Sequence, residues 1–453
     1  MKRKTIILTL STLAPFIAAG LLIAGPLNPP AGPVAPTFKT LTEVEPRIAV
    51  SEANTPGDAT SIYKVSQSGS YYLTSGLLGV AGKHGILISA PNVTLDLSGF
   101  VVSGAVTGAL DGVTVGPGCH NVTIHSGTVR HWQDGLDLAA SGNARIIDVR
   151  AVDNYVAGIR VGLASEIRHC IAWTNGDDGF VTGDSCVLVG CTARDNEDDG
   201  FATGAGAALA WCTALGNANR GIALHFGSTA SDCTASGSVT GFDARVGCAF
   251  RGCAARDNSS FGFELGGNTI ADSCTAGNNT VAGFRAFGST TFIGCNASSN
   301  GVGFHTADDC SLTDCMASSS ASDGFLLSSG CAIARCISND NTGDGIQVAG
   351  DCNVEGNTCD SNGIGSAGIH ATGADNRIER NHVSDSHRGL LIDAAGNFII
   401  ANTACSNSMN FAIAAGNRYG PVINITGGGT AAVSGSSAAD TSGSSHPWAN
   451  FAY

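Results

Sequence analysis

Asn175-Gly176-Asp177-Asp178-Gly179-Phe180 and Asn196-Glu197-Asp198-Asp199-Gly200-Phe201 are two copies of one phrase, an amide and a polar turn followed by glycine and a bulky apolar residue. The glycine recurs at 112, 135, 158, 179, 200, 221, 241, 262, 283, 303, 324, 345, 368 and 389, a step of 20 to 23 residues. A period in that range marks a stack of short units rather than a globular core, so most of the 453 residues form one continuous domain.

Working outward from each glycine, the next residue is Val, Leu, Ile or Phe. The residue two further on is apolar, Ala or Thr, as at Leu138, Val161, Leu224, Leu265, Leu327 and Val348. The residue between them is mixed and often charged, which is the period-two pattern of a strand with one buried face. A cysteine recurs at 170, 191, 212, 233, 253, 274, 295, 315, 336 and 359, eight or nine residues before its glycine, with Ala or Ser commonly two residues on. Another small or apolar pair precedes it, as in Cys186 and Leu188, Cys248 and Phe250, or Cys310 and Leu312. Three short strands per coil follow, giving an all-β parallel solenoid of about 14–16 coils with a triangular cross-section. Asn175, Asn196, Asn217, Asn258, Asn279, Asn300 and Asn341, with Ser238 and Ser320 in two gaps, are expected to stack at one turn, where Asn bonds the backbone and tolerates left-handed φ. Phe180, Phe201, Phe242, Phe263, Phe284, Phe304 and Phe325 are expected to stack inside.

Composition agrees. No proline occurs between Gly118 and Gly420, as a chain donating N–H groups to ladders throughout requires, and the glycines are read as serving turns. Seventeen cysteines would suggest disulfides in an exported chain, but one per coil at one position reads as a column of buried thiols. Strands ~4.8 Å apart do not suit a bridge whose Cβ atoms want ~3.8 Å. A net charge of −14, with all five lysines at or before Lys83, argues against nucleic acid. Lys2-Arg3-Lys4 and the apolar run from Ile6 to Ala24 predict an export signal over 1–25, or an uncleaved membrane anchor, followed by a Pro-rich segment over 26–61. The solenoid is placed at 62–415, and 416–453 is a tail, Gly/Ser-rich from Gly427 to Ser445 and aromatic at its end. That end could cap the last coil.

This pattern resembles the right-handed parallel β-helix proteins of the pectin-lyase-like superfamily from about Ile62 to Ala415, most specifically in Gly69-Ser70-Tyr71-Tyr72-Leu73 and Val93-Thr94-Leu95-Asp96-Leu97-Ser98-Gly99-Phe100. The head, Lys39-Thr40-Leu41-Thr42-Glu43-Val44-Glu45-Pro46-Arg47, and the tail, His446-Pro447-Trp448-Ala449-Asn450-Phe451, are similar to those of a group of secreted bacterial β-helix proteins with no assigned reaction. The resemblance implies an envelope or extracellular location. It also implies that chemistry, where present, sits on an outward strand face.

On that face the residues two after glycine are Asp243, Glu264, Arg285 and His305 in consecutive coils, with His225 and Arg245 four after it. At ~4.8 Å per coil, Asp243 and Glu264 could flank a glycosidic bond as acid and base, with His225, Arg245, Arg285 and His305 holding an acidic sugar. The same charges also read as a solvated ladder of opposite signs. Asp177, Asp178, Asp198 and Asp199 bring carboxylates onto neighbouring coils, where calcium would relieve their repulsion. The array lacks lysine, inserted loops, and the Gly-His-Gly and Arg-Ile-Lys segments of polygalacturonases. Two readings follow. One is a secreted or envelope polysaccharide-binding protein or surface scaffold; the other is a glycoside hydrolase, lyase or epimerase acting on an acidic polysaccharide. Oligomeric state has no signature in the sequence.

Overall fold

The computed structural model describes residues 45–105, 110–363, 365–424, 433–434 and 447–452. The segment 1–25, the Pro-rich stretch to residue 44 and most of the Gly/Ser-rich tail lie outside those residues. Arg47–Tyr453 is the larger of two compact units and forms a parallel β-solenoid of about 17 turns. No α-helix occurs among the described residues.

Each coil contributes three strands, illustrated by Phe180–Thr182, Val187–Val189 and Thr192–Arg194. Each pairs in parallel with its counterpart one coil on: Phe180 with Phe201, Leu188 with Leu209 and Ala193 with Ala214. Identical columns therefore stack. Phe242, Phe263, Phe284, Phe304 and Phe325 lie ring on ring, 4.7 to 4.9 Å apart and within 11° of parallel. The cysteines from Cys119 to Cys359 are free and buried. Burial lifts the Cys170 thiol to about 12, the behaviour of an inert core residue rather than a nucleophile. The ladder thiols also donate inward, Cys253 to the Ala230 carbonyl at 3.4 Å and Cys295 to that of Ala271 at 3.3 Å.

Four details differ from the sequence reading. The extra turns lie beyond both ends of the glycine series, with Ser61–Val65 and His84–Ile88 before it and Met409–Ile413 and Val433–Ser434 after it; Gly85 already belongs to the column, and a Cβ there would stand 2.4 Å from the Gly112 carbonyl oxygen. The column glycines do not serve turns. Gly179 lacks a positive φ, and a Cβ there would meet the Gly200 carbonyl at 2.7 Å and the Asn196 amide at 2.8 Å, so close approach requires glycine. Left-handed φ falls on the residue before each stacked amide, as at Thr174, Asp195, Asn278 and Asp340, which leaves the Asn itself free to point inward. Each Asn then bonds the next coil twice over, through main chain and side chain: Asn258 donates its backbone N–H to Asn279 Oδ1 at 3.2 Å and its side-chain amide to the same oxygen at 2.9 Å. Finally, Cys359 pairs with Ser338 and sits two places beyond the thiol column, which continues after Cys336 as Asn357, Asn381 and Asn402. The connection before Gly368, two residues longer than its predecessor, hid this shift.

The ladder runs past both expected ends. Ile48–Ala49 pairs with Tyr71 and Tyr72, and the tail strand Asn450–Ala452 lies between Thr403–Cys405 and Val422–Asn424. Asn450 Oδ1 accepts the Asn402 backbone N–H at 3.0 Å, extending the Asn357–Asn381–Asn402 continuation of the thiol column.

Candidate functional site

The strands that follow the glycine column form one face, and its outward residues are the first candidates. Backbone register sets Asp243 opposite Glu264, Glu264 opposite Arg285, and Arg285 opposite His305. Neither carboxylate stands alone. Arg220 Nη1 is 2.8 Å from Asp243 Oδ2, and Arg285 Nη1 is 3.5 Å from Glu264 Oε1. Sequence reasoning overlooked Arg220, which precedes its glycine where the two coils before it carry Asp178 and Asp199, and which reaches Asp199 with Nε at 3.2 Å as well. The Arg285 guanidinium lies over the Phe261 ring at 4.8 Å and the Phe287 ring at 4.7 Å. Burial raises the Glu264 carboxyl, and the Asp243 charge adds to it, while Arg285 opposes. Burial and Arg285 lower the His305 imidazole. His225 and Arg245 are exposed at the end of the face, His225 edge-on to the half-exposed Phe226 with centroids 4.5 Å apart.

Of the four acidic-turn residues, the fold groups three. Ligand-type oxygens of Asp177, Asp178 and Asp198 lie within 4.8 Å of one another. Asp199 turns instead to Arg220, accepting its backbone N–H at 3.0 Å, and so leaves the cluster. Burial pushes the Asp178 carboxyl up to about 7; the bond from the Asp199 N–H opposes this, and the surrounding carboxylates reinforce it. Burial takes Asp199 to about 6 against the pull of Arg220.

A third cluster escaped the sequence reading. The imidazole of His370 bridges Asp344 through Nδ1 at 2.7 Å and Asp393 through Nε2 at 2.9 Å. Burial disfavours its charge, but the two carboxylates more than offset that and raise it. His370 and Asp393 stand two and four places after their glycines, as Asp243 and Arg245 do, so the same rule extended by three and four coils beyond His305 finds them.

The fourth feature is a shallow open trough along the amide-ladder corner. Three cavities of about 510, 440 and 550 Å³ follow one another there and share lining residues, Asn278 and Thr280 at one junction and Thr342 at the other. None is lined by Asp243, Glu264 or Arg285.

A three-faced coil, parallel ladders throughout and an inward amide column define the class: the chain is a right-handed parallel β-helix with the pectin-lyase-like fold. Residues 84–248 match the family model of the right handed beta helix region, and residues 250–432 match one described as periplasmic copper-binding protein (NosD). No curated protein matches the chain. Among solved structures it is similar to the A-module of a mannuronan C-5 epimerase from Azotobacter vinelandii, at 11% identity over 85% of this chain and 89% of that one with a TM-score of 0.24. It is also similar to the periplasmic alginate epimerase AlgG, at 8% identity over 70% and 73% with a TM-score of 0.25. The tailspike of the E. coli bacteriophage HK620 matches at 12% identity over 85% and 71%, with a TM-score of 0.33. At these identities and TM-scores the likeness carries no argument about this chain.

Copper does not suit the residues present. Among the described residues, the cluster of three or more His, Cys, Asp or Glu ligands is the all-oxygen set at Asp177, Asp178 and Asp198, outside the 250–432 segment. Copper prefers imidazole and sulfur. Both nitrogens of His370 are taken by carboxylates, and the cysteines of that segment through Cys359 are buried in the core.

Proposed function

We propose that this protein is an exported β-solenoid that binds acidic polysaccharide as an envelope or surface component without turning it over. The observation that carries this reading is the pairing on the glycine face. Asp243 and Glu264 are each neutralised by an arginine, while Arg285 is held flat between Phe261 and Phe287. Paired acids are poorly placed for proton transfer. An arginine fixed between the partly buried Phe261 ring and the exposed Phe287 ring offers a fork for a uronate carboxylate beside apolar surface for the sugar ring. His225, Arg245 and His305 extend that surface. The basic, apolar N-terminus supports export, and the word periplasmic in one matching family description agrees with it.

The test is retention of the full chain on polyuronate and on neutral glycan gels, together with an assay for reducing ends and unsaturated products. Retention on polyuronate that falls about tenfold in Arg285→Ala, with no product, supports binding. The enzyme reading rests on Glu264, whose carboxyl is raised by burial and by the Asp243 charge, the direction a general acid needs. Product release abolished by Glu264→Gln and by Asp243→Asn would replace the first reading with this one. Calcium at Asp177, Asp178 and Asp198 is a further part of the proposal, since a hard cation would relieve three close carboxylates. A melting temperature unmoved by calcium or by chelator at pH 8 would remove it.

A further inference from the structure

We infer that the amide-ladder corner, from Gly216 to Ser408, is a second and separate binding site whose ligand is a neutral, extended, hydroxyl-rich polymer lying parallel to the solenoid axis. The site does not depend on the glycine face.

Three observations converge. The cavities at the corner are contiguous, so the trough is long in one direction: at ~4.8 Å per coil it extends about 40 Å. A compact metabolite would leave most of it empty, whereas a linear chain would repeat its contacts from coil to coil. The lining chemistry is amide, hydroxyl and small apolar. Asn278, Thr280 and Thr342 alternate along it with glycine and alanine, and Val239 is 41% exposed at one edge. Hydroxyl edges and C–H faces of a sugar ring find partners of both kinds there. Its charge is acidic where charge exists at all, at Asp257, Asp340 and Asp385, with His387 at one end and no Arg or Lys among the lining residues. A polyanion would be repelled, which separates this ligand from the uronate proposed for the glycine face.

Beneath the trough, closed off from solvent, the inward amide column has gaps. The amide ladder is broken at Ser238 and Ser320, both lining residues, and their buried hydroxyls have no partner. Elsewhere the stacked amides satisfy one another.

The experiment uses the full chain and affinity electrophoresis in gels containing a neutral β-glucan, a neutral α-glucan or a polyuronate. Thr280→Arg and Thr342→Arg place long side chains at exposed positions of the trough, where they leave the core untouched. The expected result is retardation by at least one neutral glycan, weakened about tenfold by either variant and unchanged by Arg285→Ala, with polyuronate showing the reverse pattern. Wild-type protein that neutral glycans do not retard overturns the inference, as does retardation that survives both variants. Loss of polyuronate binding alone would sink the earlier proposal and leave this one standing.

Discussion

Coils with an acidic turn and coils with an extended strand solve one problem in two ways. In the first group, around Asp134, Asp178, Asp199, Asp323 and Asp344, strands on the glycine face are two or three residues long. The residue before glycine is an aspartate whose carboxylate accepts the N–H of the same position one coil on. Those contacts are Asp134 to Ala157 at 2.9 Å, Asp178 to Asp199 at 2.9 Å, and Asp323 to Asp344 at 2.7 Å. In the second group the strands lengthen to five residues, as in Thr240–Ala244 and Phe261–Leu265, and the same position joins the backbone ladder, Thr240 opposite Phe261 and Phe261 opposite Ala282. A buried N–H must find an acceptor. The repeat tolerates either a side-chain oxygen or a main-chain one. The difference lies in charge, because a carboxylate drawn into the turn is partly desolvated and resists ionisation, whereas a backbone carbonyl has no titration.

The feature common to both groups gives the largest effect. Asn196→Ala in the acidic coils and Asn279→Ala in the extended ones should each cost about 3 kcal/mol, because each leaves backbone N–H groups buried without acceptors. Equal losses in urea unfolding would show the amide ladder indifferent to turn type; a loss confined to one group would break the equivalence. Next, Asp199→Ala orphans the Arg220 N–H and should cost about 2 kcal/mol, while Thr240→Ala, where the backbone provides the bond, should stay within about 0.5 kcal/mol.

The third effect is one of pH. The carboxyls of Asp134, Asp178 and Asp199 are raised by burial to about 6, 7 and 6. A carboxyl raised on folding contributes stability that is complete below its unfolded value near 3.9 and lost as pH climbs through the folded one. His370, also raised, acts in the same direction. The melting temperature should therefore fall between pH 5 and pH 8, and Asp178→Asn, which keeps the acceptor but cannot ionise, should flatten that slope. A melting temperature rising over this window would show that the turn carboxylates are better solvated than their burial implies. Smallest is repair of the ladder: Ser320→Asn, at a corner as long as that of Asn341, should add about 1 kcal/mol. No gain would mean the gap at Ser320 is already filled.

Much of this was legible beforehand. Gly179, Phe263, Cys253 and Asn279 recur at one period, and a period implies a column, so their stacking needed no coordinates. Asp243 and Glu264 were placed side by side for the same reason. Arg220 was not, because its partners lie one coil back and one coil forward and only its conformation selects them. The Asp344–His370–Asp393 bridge was missed because a turn residue, a strand residue and a strand end from three coils converge on one ring. The trough belongs to no residue type at all; it is the outer shape of successive corners.

The sequence by itself determined the winding, the inward columns and which residues share a face, because hydrogen bonding between successive strands carries a linear period directly into a stack. Only the tertiary structure decided which charges meet and where the surface is hollow. Long side chains choose partners across coils by reach and desolvation, and concavity arises from the path of the backbone around a corner, neither of which a period encodes.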